Sequence, residues 1–115
     1  MGIFDFFKKK PKSVKNDNGH NILFDEDGRR LEGNKENGKK EGLWKKYFEN
    51  GKLLSESYYK DGKLDGTSKT YTENGELYGE DNYKNGIKHG ICTRYSSTGK
   101  VTIEAIYKEG EILED

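Results

Sequence analysis

The sequence predicts an all-β fold, an elongated antiparallel β-hairpin repeat array, and three observations predict it. First, residue columns recur every 24 positions: Gly42, Gly66 and Gly90; Tyr47, Tyr71 and Tyr95; Gly51, Gly75 and Gly99; Tyr59, Tyr83 and Tyr107; Gly62, Gly86 and Gly110. A fixed period of this length marks stacked supersecondary units, none of which buries its apolar face alone. Second, turn dipeptides hold fixed places in each copy, among them Asn50-Gly51, Asp61-Gly62, Asn74-Gly75 and Asn85-Gly86. Asn-Gly and Asp-Gly accommodate the positive φ angles of type I′ hairpin turns. Third, no stretch outside the N-terminal segment combines helical periodicity with capping residues.

Taken in order, residues 1–18 form a basic, aromatic tail and linker. Phe4, Phe6 and Phe7 precede Lys8, Lys9 and Lys10, with Lys12 and Lys15 following. A secretory signal places charge before a longer apolar region, so the order is reversed here. Aromatic rings followed by lysines suit weak, reversible contact with an anionic membrane, each lysine contributing about 1 kcal/mol near such a surface. A flexible solubilising tail, or a short helical turn docked on the array, is the plainer expectation. Residues 11–18 read as the linker.

The repeat domain spans residues 19–113, in units of about 19–41, 42–65, 66–89 and 90–113. Gly19, Phe24, Gly28 and Gly38 make the upstream copy an imperfect one, one residue short and with Phe24 in the tyrosine column. An atypical terminal unit is expected where one face has no neighbour. In the unit of Gly42, an aromatic strand ends at Asn50-Gly51, and a returning strand from Lys52 closes at Asp61-Gly62. Alternation places Leu53, Ser55, Ser57 and Tyr59 on one packed face, with Leu77, Gly79, Asp81 and Tyr83, then Val101, Ile103, Ala105 and Tyr107, as counterparts. The opposite face carries Glu56, Glu80 and Glu104 in a row. Gly79 and Asp81 mark the third unit as the least stably packed.

Composition narrows the function. Apolar residues make up 30% of the 115-residue chain and charged ones 37%, so one thin domain is expected and a deep enclosed site is hard to build. Lys+Arg and Asp+Glu balance at 21 each, which gives no overall pull toward nucleic acid. One cysteine excludes an internal disulfide and suits a reducing, cytoplasmic compartment. No apolar run approaches the roughly 20 residues of a membrane-spanning helix.

Gly42-x-Trp44-x-x-Tyr47-x-x-x-Gly51, followed by Tyr59-Lys-Asp-Gly-Lys-Leu-Asp-Gly66, closely resembles the MORN repeat. More narrowly it is similar to the bacterial MORN variant of the YwqK-type antitoxin proteins. The resemblance implies a single-layered hairpin array with its motif aromatics in a groove. It also implies an antitoxin or immunity role against a cognate toxin, exercised by steric binding. Ser68 and Cys92 replace Trp44 in later copies, so such a groove is uneven.

Candidate chemistry is sparse. His89 and Cys92 form His-x-x-Cys, but a nucleophile also needs a base oriented by a third group. His89 falls in the turn column of Glu41 and Asp65, and Cys92 in that of Trp44. With His20 as the second histidine, a zinc site falls short of its ligands. The glutamate row reads as a solvated face that discourages edge pairing. No enzyme activity, cofactor or metal is therefore expected. The aromatic columns are the candidate partner-binding residues: Trp44, Tyr47, Tyr59, Tyr71, Tyr83, Tyr95 and Tyr107. A membrane-associated scaffold, anchored at the inner face of the membrane through Phe4, Phe6, Phe7, Lys8, Lys9 and Lys10, is the second reading.

Overall fold

The computed structural model describes residues 13–113, so the membrane-contact candidates Phe4 to Lys10 lie outside the described residues. The strands are β1 (Gly19–Phe24), β2 (Arg30–Glu36), β3 (Lys39–Tyr47), β4 (Leu53–Lys60) and β5 (Lys63–Tyr71). Then come β6 (Leu77–Lys84), β7 (Ile87–Lys88), β8 (Gly90–Tyr95), β9 (Val101–Lys108) and β10 (Glu111–Leu113). Each strand pairs antiparallel with its sequence neighbour in one ten-stranded sheet, β7 and β8 sharing the edge of β6 on either side of His89. The array measures 60 × 38 × 18 Å, a single layer. As expected, the fold is all-β and built of hairpins.

The turns alternate between two kinds, where the sequence predicts one. At Asp61-Gly62 both residues have positive φ, 50° and 82°, and Lys60 pairs directly with Lys63, which is a two-residue type I′ turn. Asn37-Gly38, Asn85-Gly86 and Glu109-Gly110 follow it. At Asn50-Gly51 only the glycine has positive φ. There the Gly51 amide donates to the Phe48 carbonyl at 2.9 Å and the Phe48 amide to the Lys52 carbonyl at 2.7 Å. That is a type I turn followed by a left-handed glycine, the three-residue hairpin. The turns at Gly28, Gly75 and Gly99 close with the same pair of bonds.

Beside the turns at Gly51, Gly75 and Gly99 the register shifts, while the hairpin closed at Gly28 pairs without a shift. Lys46 pairs with Ser55 but Tyr47 pairs with Leu53, so Leu54 is an extra residue. Leu53, Leu77 and Val101 therefore stand opposite Tyr47, Tyr71 and Tyr95, out of line with Ser55, Ser57 and Tyr59. The face expected for Leu53 is corrected by this bulge, because one added residue breaks the two-residue period.

The shorter turns bond across units. The Gly62 amide donates to the Lys40 carbonyl at 2.9 Å, and the Asp61 amide to Glu41 Oε2 at 2.8 Å. Gly86 repeats the bond to Leu64, Gly110 to Lys88 and Gly38 to Asp17, at 2.7–2.9 Å. Asn85 donates to Asp65, Glu109 to His89 Nδ1 and Asn37 to Asn18. The column of Glu41, Asp65 and His89, expected as solvated turn positions, thus supplies acceptors to the next unit's turn.

Residues 13–18, expected as linker, close the sheet's first edge. Val14 exchanges backbone bonds with Ile22 at 2.7 and 2.8 Å. Asn21, fully buried, accepts from the Asn16 amide and donates to the Asn16 and Gly19 carbonyls. Each of its buried polar atoms is paired, as burial demands.

The apolar core among the described residues centres on Trp44 (3% exposed) and Cys92. Trp44 lies flat over Gly33, whose absent Cβ would fall 2.5 Å from the indole, and its Nε1 donates to the Asn34 carbonyl at 2.8 Å. In the third unit Gly79 lies similarly beneath Arg94, which grips Asp81 through two bonds of 2.9 and 3.1 Å. Gly79 and Asp81 are therefore seats for a guanidinium, and the weak packing expected there is replaced by an ion pair. Gly33→Ala is expected to cost the 1–3 kcal/mol of an overpacked core, lowering the melting temperature by roughly 4–8 °C per kcal/mol. Thermal unfolding followed by circular dichroism checks it.

Candidate functional site: two unlike faces

Trp44 looks across the sheet at Gly33 on one side and at Ser57 and then Ser68 on the other, with Asp81 next in the row. The replacements of tryptophan are matched by their neighbours. The Ser57 and Ser68 hydroxyls lie 2.7 Å apart and share a hydrogen bond, and Cys92 packs beside Ala105. Tyr59 meets Trp44 edge-on, with ring centroids 6.5 Å apart, and Lys40 Nζ sits 4.9 Å from each ring. Lys88 sits over Tyr107 in the same way. Tyr83, paired with Lys88, completes the column. Burial depresses the Lys40 ammonium pKa, and nearby Lys35 and Lys46 add to the effect. Burial likewise raises the Tyr59 and Tyr83 phenols. This tryptophan face is the chain's interior, as far as a single layer has one.

Tyr47, Tyr71 and Tyr95 lie on the other face. The Tyr71 hydroxyl donates to Glu56 Oε1 at 2.7 Å, and Tyr95 reaches Glu80 at 3.4 Å. Tyr47 instead carries the Arg30 guanidinium over its ring, 4.4 Å from the centroid. The glutamate row expected from the sequence is present and is half of a longer ladder. Glu32, Lys45, Glu56, Lys69, Glu80, Thr93 and Glu104 are successive cross-strand partners. None of these Glu–Lys neighbours is within ion-pair distance; Glu32 pairs instead with His20 and Arg30.

Beside that ladder runs the surface that column reading overlooks. Leu43 pairs with Tyr58, Thr67 with Asn82, and Ile91 with Ile106. Tyr58 is 49% exposed, and Leu43, Ile91 and Ile106 are exposed too. With strands about 4.8 Å apart, the row is roughly 24 Å long. Tyr58 escapes column reading because its equivalents are Asn82 and Ile106, which share its place but not its chemistry. The signal available was parity: Tyr58 must point away from Tyr59. Tyr78 is exposed as well, at the bulge position equivalent to Leu54.

Of the sequence candidates, Trp44 offers no free surface to a partner. Tyr59, Tyr83 and Tyr107 gather with it on one face, while Tyr47, Tyr71 and Tyr95 gather on the other, so the seven do not form one site. His89 and Cys92 do not make a nucleophilic pair. His89 Nδ1 accepts from the Glu109 amide, and burial raises the Cys92 thiol, away from the thiolate a nucleophile needs. Asp81 beside it is pushed upward by burial, but the hydrogen bonds from Arg94 and Cys92 and the charges of Arg94 and Lys88 together outweigh this and hold it below the ordinary carboxylate range. Among the described residues, no group of three or more His, Cys, Asp and Glu is placed to hold a metal ion. Among the same residues no helix is long and apolar enough to cross a membrane.

The geometry is that of a repeat array, and the MORN repeat variant family matches residues 40–61, 64–85 and 88–109. The chain belongs to the MORN repeat variant family. Each matched MORN segment runs from the strand after one type I′ turn to the next such turn, so the family's unit is one three-residue hairpin and its stack. The upstream hairpin of β1 and β2 has the same two turn kinds outside the matched residues. No curated protein matches the chain. MORN arrays are non-catalytic repeat modules that bind proteins or membranes, and theirs is not an enzyme family.

The Tyr71–Glu56 bond and burial together push the Tyr71 phenol up to about 12. Because the unfolded phenol titrates near 10, the bond's contribution is intact below about pH 10 and is lost as pH rises through about 12. Ultraviolet titration of the eight tyrosines is expected to show one ionising near pH 12, absent in Tyr71→Phe and moved lower in Glu56→Gln.

Proposed function

We propose that this protein is a protein-binding module of antitoxin or immunity type, which neutralises a cognate toxin by covering it. The observation that carries the reading is the exposed row of Leu43, Tyr58, Ile91 and Ile106 beside the Glu–Lys ladder. Apolar anchors flanked by fixed charges are the composition of a specific protein interface: the anchors supply affinity and the charges supply register. An array without an enclosed cleft works by steric cover, not by conversion. The antitoxin role itself rests on the resemblance of Gly42 to Gly66 to the bacterial MORN variant. The sequence order of Phe4, Phe6 and Phe7 before Lys8, Lys9 and Lys10 favours a second reading, a scaffold held to anionic lipid at the inner membrane face.

Affinity purification of the tagged full chain from its host, followed by mass spectrometry, tests both. The expected result is one stoichiometric protein with a toxin-type domain, lost from a Tyr58→Asp, Ile106→Asp variant that keeps its circular dichroism spectrum. Recovery with lipid alone, and salt-sensitive liposome binding that vanishes on deleting residues 1–12, would replace the first reading by the second.

A further inference from the structure

Each returning strand turns an acid, a central residue and a lysine to the glutamate face. They are Glu56, Tyr58 and Lys60 on β4, Glu80, Asn82 and Lys84 on β6, and Glu104, Ile106 and Lys108 on β9. The two charged columns flank the exposed row, and they are unlike. On the glutamate side Lys45 and Lys69 stand between Glu32, Glu56 and Glu80, so that flank is mixed in charge. On the other side the intervening strands add more lysine. Lys39 and Lys63 lie there with their stems against Gly62 and Gly86 of the next turn, and Lys63 is the direct partner of Lys60. All five lysines of this flank are exposed, and none of the four ion pairs among the described residues includes one. Glu41 and Asp65, the acids between this flank and the row, accept the turn amides of Asp61 and Asn85. Glu36 and Glu111 stand at the two ends of the flank, and Asp61 and Glu109 lie beyond it at the turn tips.

The dimensions limit what fits between the columns. Glu56 and Lys60 are four residues apart, roughly 13 Å along the strand, and an α-helix with its side chains is about 10–12 Å wide. Lys60, Lys84 and Lys108 recur every second strand, about 9.6 Å, while one side of a helix recurs every seven residues, about 10.5 Å. The apolar row is in two parts, Leu43 with Tyr58 and Ile91 with Ile106, separated by the hydrogen-bonded Thr67 and Asn82. Those parts are centred four strands apart, about 19 Å, which is close to two heptads. A flat anionic bilayer touching the lysines on this face would meet the glutamate column as well, whereas one narrow element avoids it. We infer that the partner protein lays an amphipathic α-helix along this row, its apolar residues on the two anchors and its aspartates or glutamates toward Lys60, Lys84 and Lys108. This is helix-in-groove recognition, with complementary charge fixing how the helix lies. The inference rests on the protein-binding reading and adds the chemistry of the partner.

The probes are two labelled helical peptides of about three heptads with the same leucines, one carrying glutamate and the other lysine at the flanking positions. Each is titrated into the full chain by fluorescence anisotropy. The glutamate peptide is expected to bind about tenfold tighter. A Lys60→Glu, Lys84→Glu variant that keeps its circular dichroism spectrum is expected to lose or reverse that preference. Carbodiimide coupling of the bound glutamate peptide, mapped by mass spectrometry, is expected at Lys60, Lys84 and Lys108. Equal affinity for the two peptides, no binding of either, or coupling confined to Lys40, Lys46 and Lys88 of the tryptophan face would overturn the proposal. So would anionic-liposome binding or self-association that the same variant abolishes, or peptide binding that appears only once residues 1–12 are deleted. A captured partner lost from the Tyr58→Asp, Ile106→Asp variant but kept by the Lys60→Glu, Lys84→Glu variant would sink this inference alone and leave the protein-binding reading standing.

Discussion

Each type I′ turn hands both of its amides to the unit before it, and the rest of the array depends on that transfer. At Asp61-Gly62 the two donors end on Glu41 Oε2 and the Lys40 carbonyl, and the same pair of bonds recurs at every unit boundary among the described residues. A tight turn with both φ angles positive points these amides outward, where they must find water or a neighbour. Here the neighbour is the preceding turn region, about twenty residues earlier in the chain. Insertion or deletion of a residue beside the turn or its acceptors would misplace the bond, whereas the bulge position of the intervening strand is absent in the first hairpin and present in the others. The short first unit keeps both bonds, to Asn18 and Asp17, because the residue it lacks is the bulge: Phe24 pairs with Arg30 and Leu23 with Leu31 without a register shift.

A sheet 18 Å thick has little interior to hold it together. The usual large apolar core is reduced to Trp44 over Gly33 and Cys92 against its neighbours, and the hydrophobic contribution is correspondingly small. Repeated main-chain bonding and paired side chains take up the difference. The tryptophan face passes from an indole stack to a serine pair to the Arg94–Asp81 clamp, three chemistries filling one row. The glutamate face needs no filling, since its ladder is solvated. On the glutamate face Tyr58, Ile91 and Ile106 stand open to solvent.

Period, hairpin architecture and the glutamate row were legible in the sequence because each is written in identical residues at identical spacing. What the spacing hid is equally physical. Asn50-Gly51 and Asp61-Gly62 look alike as dipeptides, yet a three-residue turn and a two-residue turn result, decided by where the flanking strands pair. The resulting bulge at Leu54 changes parity, so Tyr47 and Tyr59 fall on opposite faces although both recur every 24 residues. The burial of Trp44 depends on Gly33, which belongs to a different unit and to no column of glycines. The part played by Glu41, Asp65 and His89 was hidden because an acceptor need only present a lone pair, which three unlike residues do.

Native-state hydrogen exchange at the Gly62 and Gly86 amides tests most directly the claim that these junction bonds carry the array. Both amides sit at solvent-facing turn tips, where free turns exchange fast. The account predicts that they exchange as slowly as the amides of β4 and β5 and open together with them. Fast exchange at Gly62 and Gly86, with β4 and β5 remaining protected, would contradict it.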